Sequence, residues 1–466
     1  MTIDVSGGAG GTQATYHDLM AEAGVLDDRA DDVRSRADDV AAVGAHSAVL
    51  GAAFLCPVEA GVVEVHAVAA ATGPTGLLPM SAALEVSARL LRASVVTYAT
   101  VDAAQEGAFD AISRMQGWLL GHSLPGAGVL LLGLAAGNPL LAGLTAAYLK
   151  ENSAAIGAEL QQTLFDNPWL LEELVHEAPW LIQGLADGVG GPLLPLLLSG
   201  GSWPTGSYED AVGGLINAGG WGGLFQDDGG FHVEHVAAGN GTAPHGIADV
   251  FAEQAKLSGE TSTVQISTVV GDDGVTRYVV QVPGTQEWSP TRGDNLSDLT
   301  SNLTLMSGRQ SELQRQVMAA MKAAGIGPDD PVMLTGHSQG GIVCAALASD
   351  PAQPYRIEAV VTGGSPIANF PIPPDVSVLS LEHDQDVVPM LDGERNPDDL
   401  NWVTVRRSVA EQADGIGAAH STDLYRATGQ AADTSADPSL TSWRAANEGF
   451  FHGDATVDRY AIRPDE

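Results

Sequence analysis

Cysteine is almost missing from this 466-residue chain, which has two, Cys56 and Cys344. That excludes a disulfide framework and a thiolate metal cage. Cys344 lies in an apolar helical pattern, where a lone thiol serves as a small hydrophobe. Positive charge is scarce too: 21 Lys and Arg stand against 58 Asp and Glu, for a formal net charge of −37. Nucleic acid as a partner needs clustered Lys and Arg, so it is excluded. Docking on anionic lipid by charge is excluded with it. Acidity of this size gives a self-repelling, soluble surface. The opening residues MTIDVSGGAGGTQ have neither a basic start nor an apolar core, so no Sec-type signal peptide is expected there. His232 and His235 sit close together without a third ligand in sequence, and no metal is expected.

Composition divides the chain into three parts, 1–120, 121–255 and 256–466. The first reads as long helices. Leu19, Ala23, Leu26, Ala30, Val33, Ala37 and Val40 recur at spacings of four and three, and RADDV occurs at 29–33 and again at 36–40. That is a heptad seam with acids outside it. Leu84, Ala88, Leu91, Val95 and Tyr98 repeat the spacing, so two helices are expected to pair as an antiparallel hairpin, and self-association through them is left open. Pro57 and TGPTG interrupt the stretch between.

In the second part, residues 115–149 hold no charged side chain, and Lys150 is the only Lys or Arg from 115 to 255. Asn138-Pro139 splits the apolar run 124–149 into pieces shorter than the ~20 residues of a membrane span. Basic flanks that would set an orientation are nearly missing. An integral span is therefore not expected. Pro168 and Pro179 mark helix starts. The region reads as a helical cap or linker; a lid over a greasy substrate and plain inter-domain core both stay open. GGWGGLFQDDGGF at 219–231 reads as a glycine-rich loop.

The third part carries the chemistry. STVQISTVV and VTRYVVQV, joined by GDDG, predict a hairpin. A long helical pattern follows from Ser297 to Ala324, closed by Gly325. Then come four β-rich runs, starting with VMLT at 332–335, with helical or loop segments between them. Strands alternating with helices predict a mostly parallel sheet covered on both faces. Gly336-His337-Ser338-Gln339-Gly340 fits G-x-S-x-G at a strand-to-helix turn. Such a turn lifts a serine hydroxyl above the sheet and aims backbone N–H groups at an oxyanion. The nucleophile needs an acid and then a histidine later in the chain. Glu382, Asp384 and Asp386 are the candidate acids, and spacing alone does not separate them. His420, in a small-residue loop, suits a mobile base better than His383, which shares the strand end of the acids, or His452, which is flanked by aromatics. Arg292-Gly293-Asp294 and the Asn295 and Asn302 sequons carry no special signal.

These residues resemble the α/β-hydrolase superfamily, especially bacterial esterase and lipase-like members near the class 3 lipases, over residues 262–466. VMLTGHSQGG resembles that family's elbow, and VVTGGSPIAN its Gly-Ser-Pro strand end. DVVP at 386–389 is similar to its Asp-x-Val-Pro segment, which favours Asp386 over Asp384 as the triad acid. PGT at 283–285 resembles the loop of the first oxyanion donor, implying Thr285 and Gln339 N–H for the oxyanion hole. The resemblance implies an α/β-hydrolase fold after an all-α region, and a serine esterase or lipase with Ser338, His420 and Asp386 as its triad. Such an enzyme acts on an ester or lipid and needs no cofactor.

The N-terminal hairpin resembles the small helical proteins of type VII (ESX) secretion. Tyr98-Ala-Thr-Val-Asp102 matches that system's Tyr-x-x-x-Asp/Glu export motif, although its Trp-x-Gly turn is absent. The resemblance implies a small helical secretion partner and export as an effector. A cytoplasmic enzyme, and a hydrolase fold kept only as a binding scaffold, are the alternatives.

Overall fold

The computed structural model describes residues 2–96 and 207–465, apart from 74, 75, 94, 221, 222, 228 and 292. Tyr98, Asp102 and the apolar stretch 124–200 lie outside the described residues. The chain divides into two compact units, Thr12–Asp110 and Met1–Gly11 with Ala111–Glu466.

The first unit is helical: α1 (Thr12–Ala41), α2 (Ser47–Ala53), α3 (Pro57–Thr72) and α4 (residues 77–93). The heptad residues do what their spacing predicts. Ala23, Ala30, Ala37 and Ala88 are buried, while the acids between them face outward. Small residues in the seam let the α1 and α4 backbones approach closely. Ser81 Oγ accordingly donates to the Ala30 carbonyl at 2.8 Å. Asp27 pairs with Arg92 at 2.6 Å and Arg34 with Glu85, so the helices run antiparallel. These exposed ion pairs add little, and seam burial carries the pairing. By length and composition alone, the stretch Pro57–Ala93 could cross a membrane, and 25% of its most apolar window is buried.

The second unit is built on a nine-stranded sheet of order β1-β8-β7-β6-β5-β4-β3-β9-β2. Its elements in chain order are β1 (Asp4–Gly7), α5 (Tyr208–Gly220), β2 (Phe231–Thr242), α6 (Ile247–Leu257), β3 (Thr263–Val270), β4 (Thr276–Val282), α7 (Leu299–Met306) and α8 (Glu312–Ala323). There follow β5 (Pro331–His337), α9 (Gln339–Ser349), β6 (Arg356–Gly363), β7 (Ser377–His383), β8 (Trp402–Arg407), α10 (Ile416–Ala419), α11 (Thr422–Thr434), α12 (Pro438–Ala446) and β9 (Asp454–Pro464). β4 to β8 are parallel neighbours, and β1, β3, β9 and β2 extend the sheet antiparallel at its two sides.

Every residue of β5 is buried. Val332 and Leu334 face one core, with Val317, Met321 and Val343 from α8 and α9. Met333 faces the other, with Phe251, Tyr425 and Leu440 from α6, α11 and α12. Such a continuous apolar run is what a strand covered on both faces requires.

Three expectations change. Residues 4–7, read as part of the helical region, form an edge strand on β8, with Asp4 opposite Arg406. The segment 231–255, read as the end of a cap or linker, supplies β2 and most of α6 to the sheet unit. The helix expected over 297–324 is two helices. Gly308 at φ +71 breaks it, and Ser311 caps α8 by accepting from Gln314 N.

Candidate active site

The elbow follows from its glycines. Ser338 links β5 to α9 at φ 55, ψ −124, a strained conformation for a side-chain-bearing residue. Its N–H donates to the Gly363 carbonyl at 2.9 Å, extending the β5–β6 ladder by one bond. A Cβ on Gly340 would overlap the Val282 carbonyl oxygen, and one on Gly336 would overlap the Gly340 backbone. Only glycine fits at either place. Gly284 passes the elbow so closely that its Cβ would lie 3.3 Å from that of Ser338. Thr285 therefore stands beside Ser338.

Asp386 and His420 meet just past the strand ends. Asp386 is fully buried beyond β7, and Asp386 Oδ2 lies 2.6 Å from His420 Nδ1. Tyr425 donates its hydroxyl to the same oxygen at 2.7 Å, and Val388 N–H donates to Oδ1 at 3.0 Å. Burial alone would push this carboxyl up. The imidazole beside it and these hydrogen bonds outweigh burial and hold it below the usual range. The other two acids point elsewhere. Asp384 is exposed, and Glu382 pairs with Arg406 at 2.9 Å and accepts from Asn396.

His420 follows the single turn of α10, and its side chain keeps 21% exposure. Asp386 accepts from Nδ1–H, which leaves Nε2 free to take a proton. The Ser338 hydroxyl makes no hydrogen bond to the imidazole here; such bonds often tighten only around substrate.

The amides of Thr285 and Gln339 have no protein acceptor among the described residues. One helix end steadies both residues. The Gln339 side chain donates to the Asp298 carbonyl at 2.6 Å, and Asn302 donates to Thr285 Oγ1 at 2.9 Å.

Three neighbours were given no role by sequence reasoning: His337, His383 and Tyr425. The His337 ring lies 4.5 Å from that of His420, and His383 stacks on Tyr425 at 3.9 Å and 14°. Nothing in the local sequence points to them, because their partners lie tens of residues away. His232 and His235 are far more ordinary: each meets one aspartate, Asp465 or Asp458, across or beyond β2.

Burial, with His420 beside it, holds the His337 imidazole down at about 3, and burial holds His383 at about 4. Unfolded, each would take up a proton near pH 6.5. Between those values the unfolded chain binds more protons, so this contribution is intact above about pH 6.5 and is lost as pH falls. Buried Asp298 and Asp392 and half-buried Asp227 and Asp433 are all pushed up and act in the opposite direction. A difference measurement isolates the histidine. Relative to His337→Gln, the native protein is expected to lose about 1.4 kcal/mol per pH unit below pH 6.5 in urea melts.

Residues 297–436 match the family described as PGAP1-like alpha/beta domain. That segment contains Ser338, Gln339, Asp386, His420 and Tyr425, and Thr285 lies before it. It is a hydrolase-fold family, and this match over part of the chain, with the sheet described above, is consistent with an α/β-hydrolase fold for this unit. No curated protein and no solved structure gives a significant match.

Proposed function

We propose that this protein is a serine hydrolase that cleaves carboxylic esters through an acyl-enzyme. The observation that carries the reading is the 2.6 Å contact of Asp386 Oδ2 with His420 Nδ1, set beside a serine at φ 55 on a strand-to-helix turn. Ser338 Oγ attacks the ester carbonyl carbon, and its proton passes to His420 Nε2. Asp386 fixes the imidazole tautomer and stabilises its cation. The carbonyl oxygen becomes an oxyanion held by the Thr285 and Gln339 N–H groups, each worth about 3 kcal/mol of barrier. His420 returns the proton to the leaving alcohol. Water, deprotonated by His420, then attacks the acyl carbon and frees Ser338.

A p-nitrophenyl ester series of rising acyl length tests this. The native protein is expected to turn over at least one member, and Ser338→Ala and His420→Ala are each expected to lower kcat by about 10⁴-fold or more. Equal turnover by the native protein and Ser338→Ala would sink the reading. The preferred length distinguishes an esterase from a lipase.

A further inference from the structure

Two buried histidines have no part in that reaction, yet one grips the backbone of its base and the other that of the residue before it. His337 Nε2 lies 2.9 Å from the carbonyl oxygen of His420, and His383 Nδ1 lies 2.7 Å from that of Ala419. A carbonyl only accepts, so the protons sit on Nε2 of His337 and Nδ1 of His383. The second nitrogen of His383 accepts from Thr428 Oγ1 at 2.8 Å, and Thr428 accepts from Arg407 at 3.1 Å. The same hydroxyl also reaches the Leu424 carbonyl at 3.1 Å, so the tautomer of His383 is set by the Ala419 carbonyl.

The carbonyls they hold are consecutive and belong to the end of α10. That helix has four residues, too few to be stable alone. Its last carbonyls are the ones a helix leaves without partners. Within the backbone, this turn is tied by Ala419 N to Gly415 O and His420 N to Ile416 O, each at 3.0 Å. The base of the reaction therefore stands on a weak turn, and the two imidazoles clamp it from the strand side. Resting on the triad reading above, we propose that His337 and His383 are positioning residues that fix the His420 backbone so that its ring stays in line between Asp386 and Ser338.

The reach of the donor tests this. A glutamine amide matches Nε2 of histidine, and an asparagine amide matches Nδ1. Steady-state hydrolysis of one p-nitrophenyl ester by the full chain is expected to show His337→Gln close to native. His337→Asn is expected to lose about 10- to 100-fold in kcat with KM little changed. At position 383 the order inverts: Asn is tolerated and Gln loses the same range. A protein carrying both His337→Gln and His383→Asn keeps both donors and is expected to fold and remain active. Equal kcat for Asn and Gln at both positions, or a folded but inactive double variant, overturns the clamp. Ser338→Ala in the same series separates the two ideas. If it hydrolyses the ester like the native protein, the triad reading fails and the clamp with it. If it is dead while the reach variants are indifferent, the clamp alone fails.

Discussion

Asp386→Asn is expected to lower kcat/KM by about 10⁴-fold while leaving the protein folded. Asp386 Oδ2 takes hydrogen bonds from His420 Nδ1 and from Tyr425. Both meet the same oxygen while the Val388 N–H donates to Oδ1, so an asparagine that keeps its oxygen on Val388 turns its Nδ2 group to His420 and Tyr425. With the Nδ2 group facing the imidazole, Nδ1 must accept, and the ring proton moves to Nε2. The base then offers a proton to Ser338 where it must take one. The Val388 N–H still donates to the amide oxygen, and the Tyr425 hydroxyl oxygen can accept from Nδ2, so the fold survives. Asp384→Asn is the control. Its side chain is exposed, and kcat/KM is expected to stay within about twofold of native, the range of surface substitutions. Steady-state kinetics on both variants check the assignment. A dead Asp384→Asn beside an active Asp386→Asn would reverse it.

Gly340→Ala is expected to cost about 3 kcal/mol or more of stability and most of the activity. The added methyl would run into the Val282 carbonyl oxygen, with Pro283 O close behind. Both are backbone atoms, so no rotamer change relieves the overlap. Either β4 gives way at its end or the start of α9 moves. The first shifts the loop carrying Thr285, and the second shifts Ser338 and Gln339. Stability and chemistry therefore fail together. Thermal melts and ester kinetics on the same preparation should show this. A variant with native melting and native rates would mean that the elbow is looser than its geometry implies. Gly293→Ala, where a Cβ meets nothing within 4 Å, provides the comparison.

The parts of this architecture legible in the sequence are those written locally. The elbow lies within five residues between an apolar strand and a small-residue helix. The heptad seam of α1 shows in its own spacing. Which carboxylate meets His420 was not legible from spacing, because Glu382, Asp384 and Asp386 share one strand end. Burial separates them, and burial depends on Tyr425 and His420, more than thirty residues on. β1 was illegible for a similar reason. Four residues near the start of the chain carry too little pattern to announce pairing with Trp402–Arg407. β2 begins in a glycine-rich stretch and is mostly exposed, so it shows no clean alternation. The break between α7 and α8 turns on Gly308, an ordinary-looking glycine inside a helical period. His337 and His383 were visible as residues and silent as partners.

The central claim is that Ser338 is the nucleophile. The most direct measurement is the intact mass of the protein after treatment with a fluorophosphonate, followed by mapping of the modified peptide. A single adduct on the peptide holding GHSQGG, absent from Ser338→Ala and strongly slowed in His420→Ala, is the predicted result. A folded native protein that takes no adduct, or one that takes it on another residue, would contradict it.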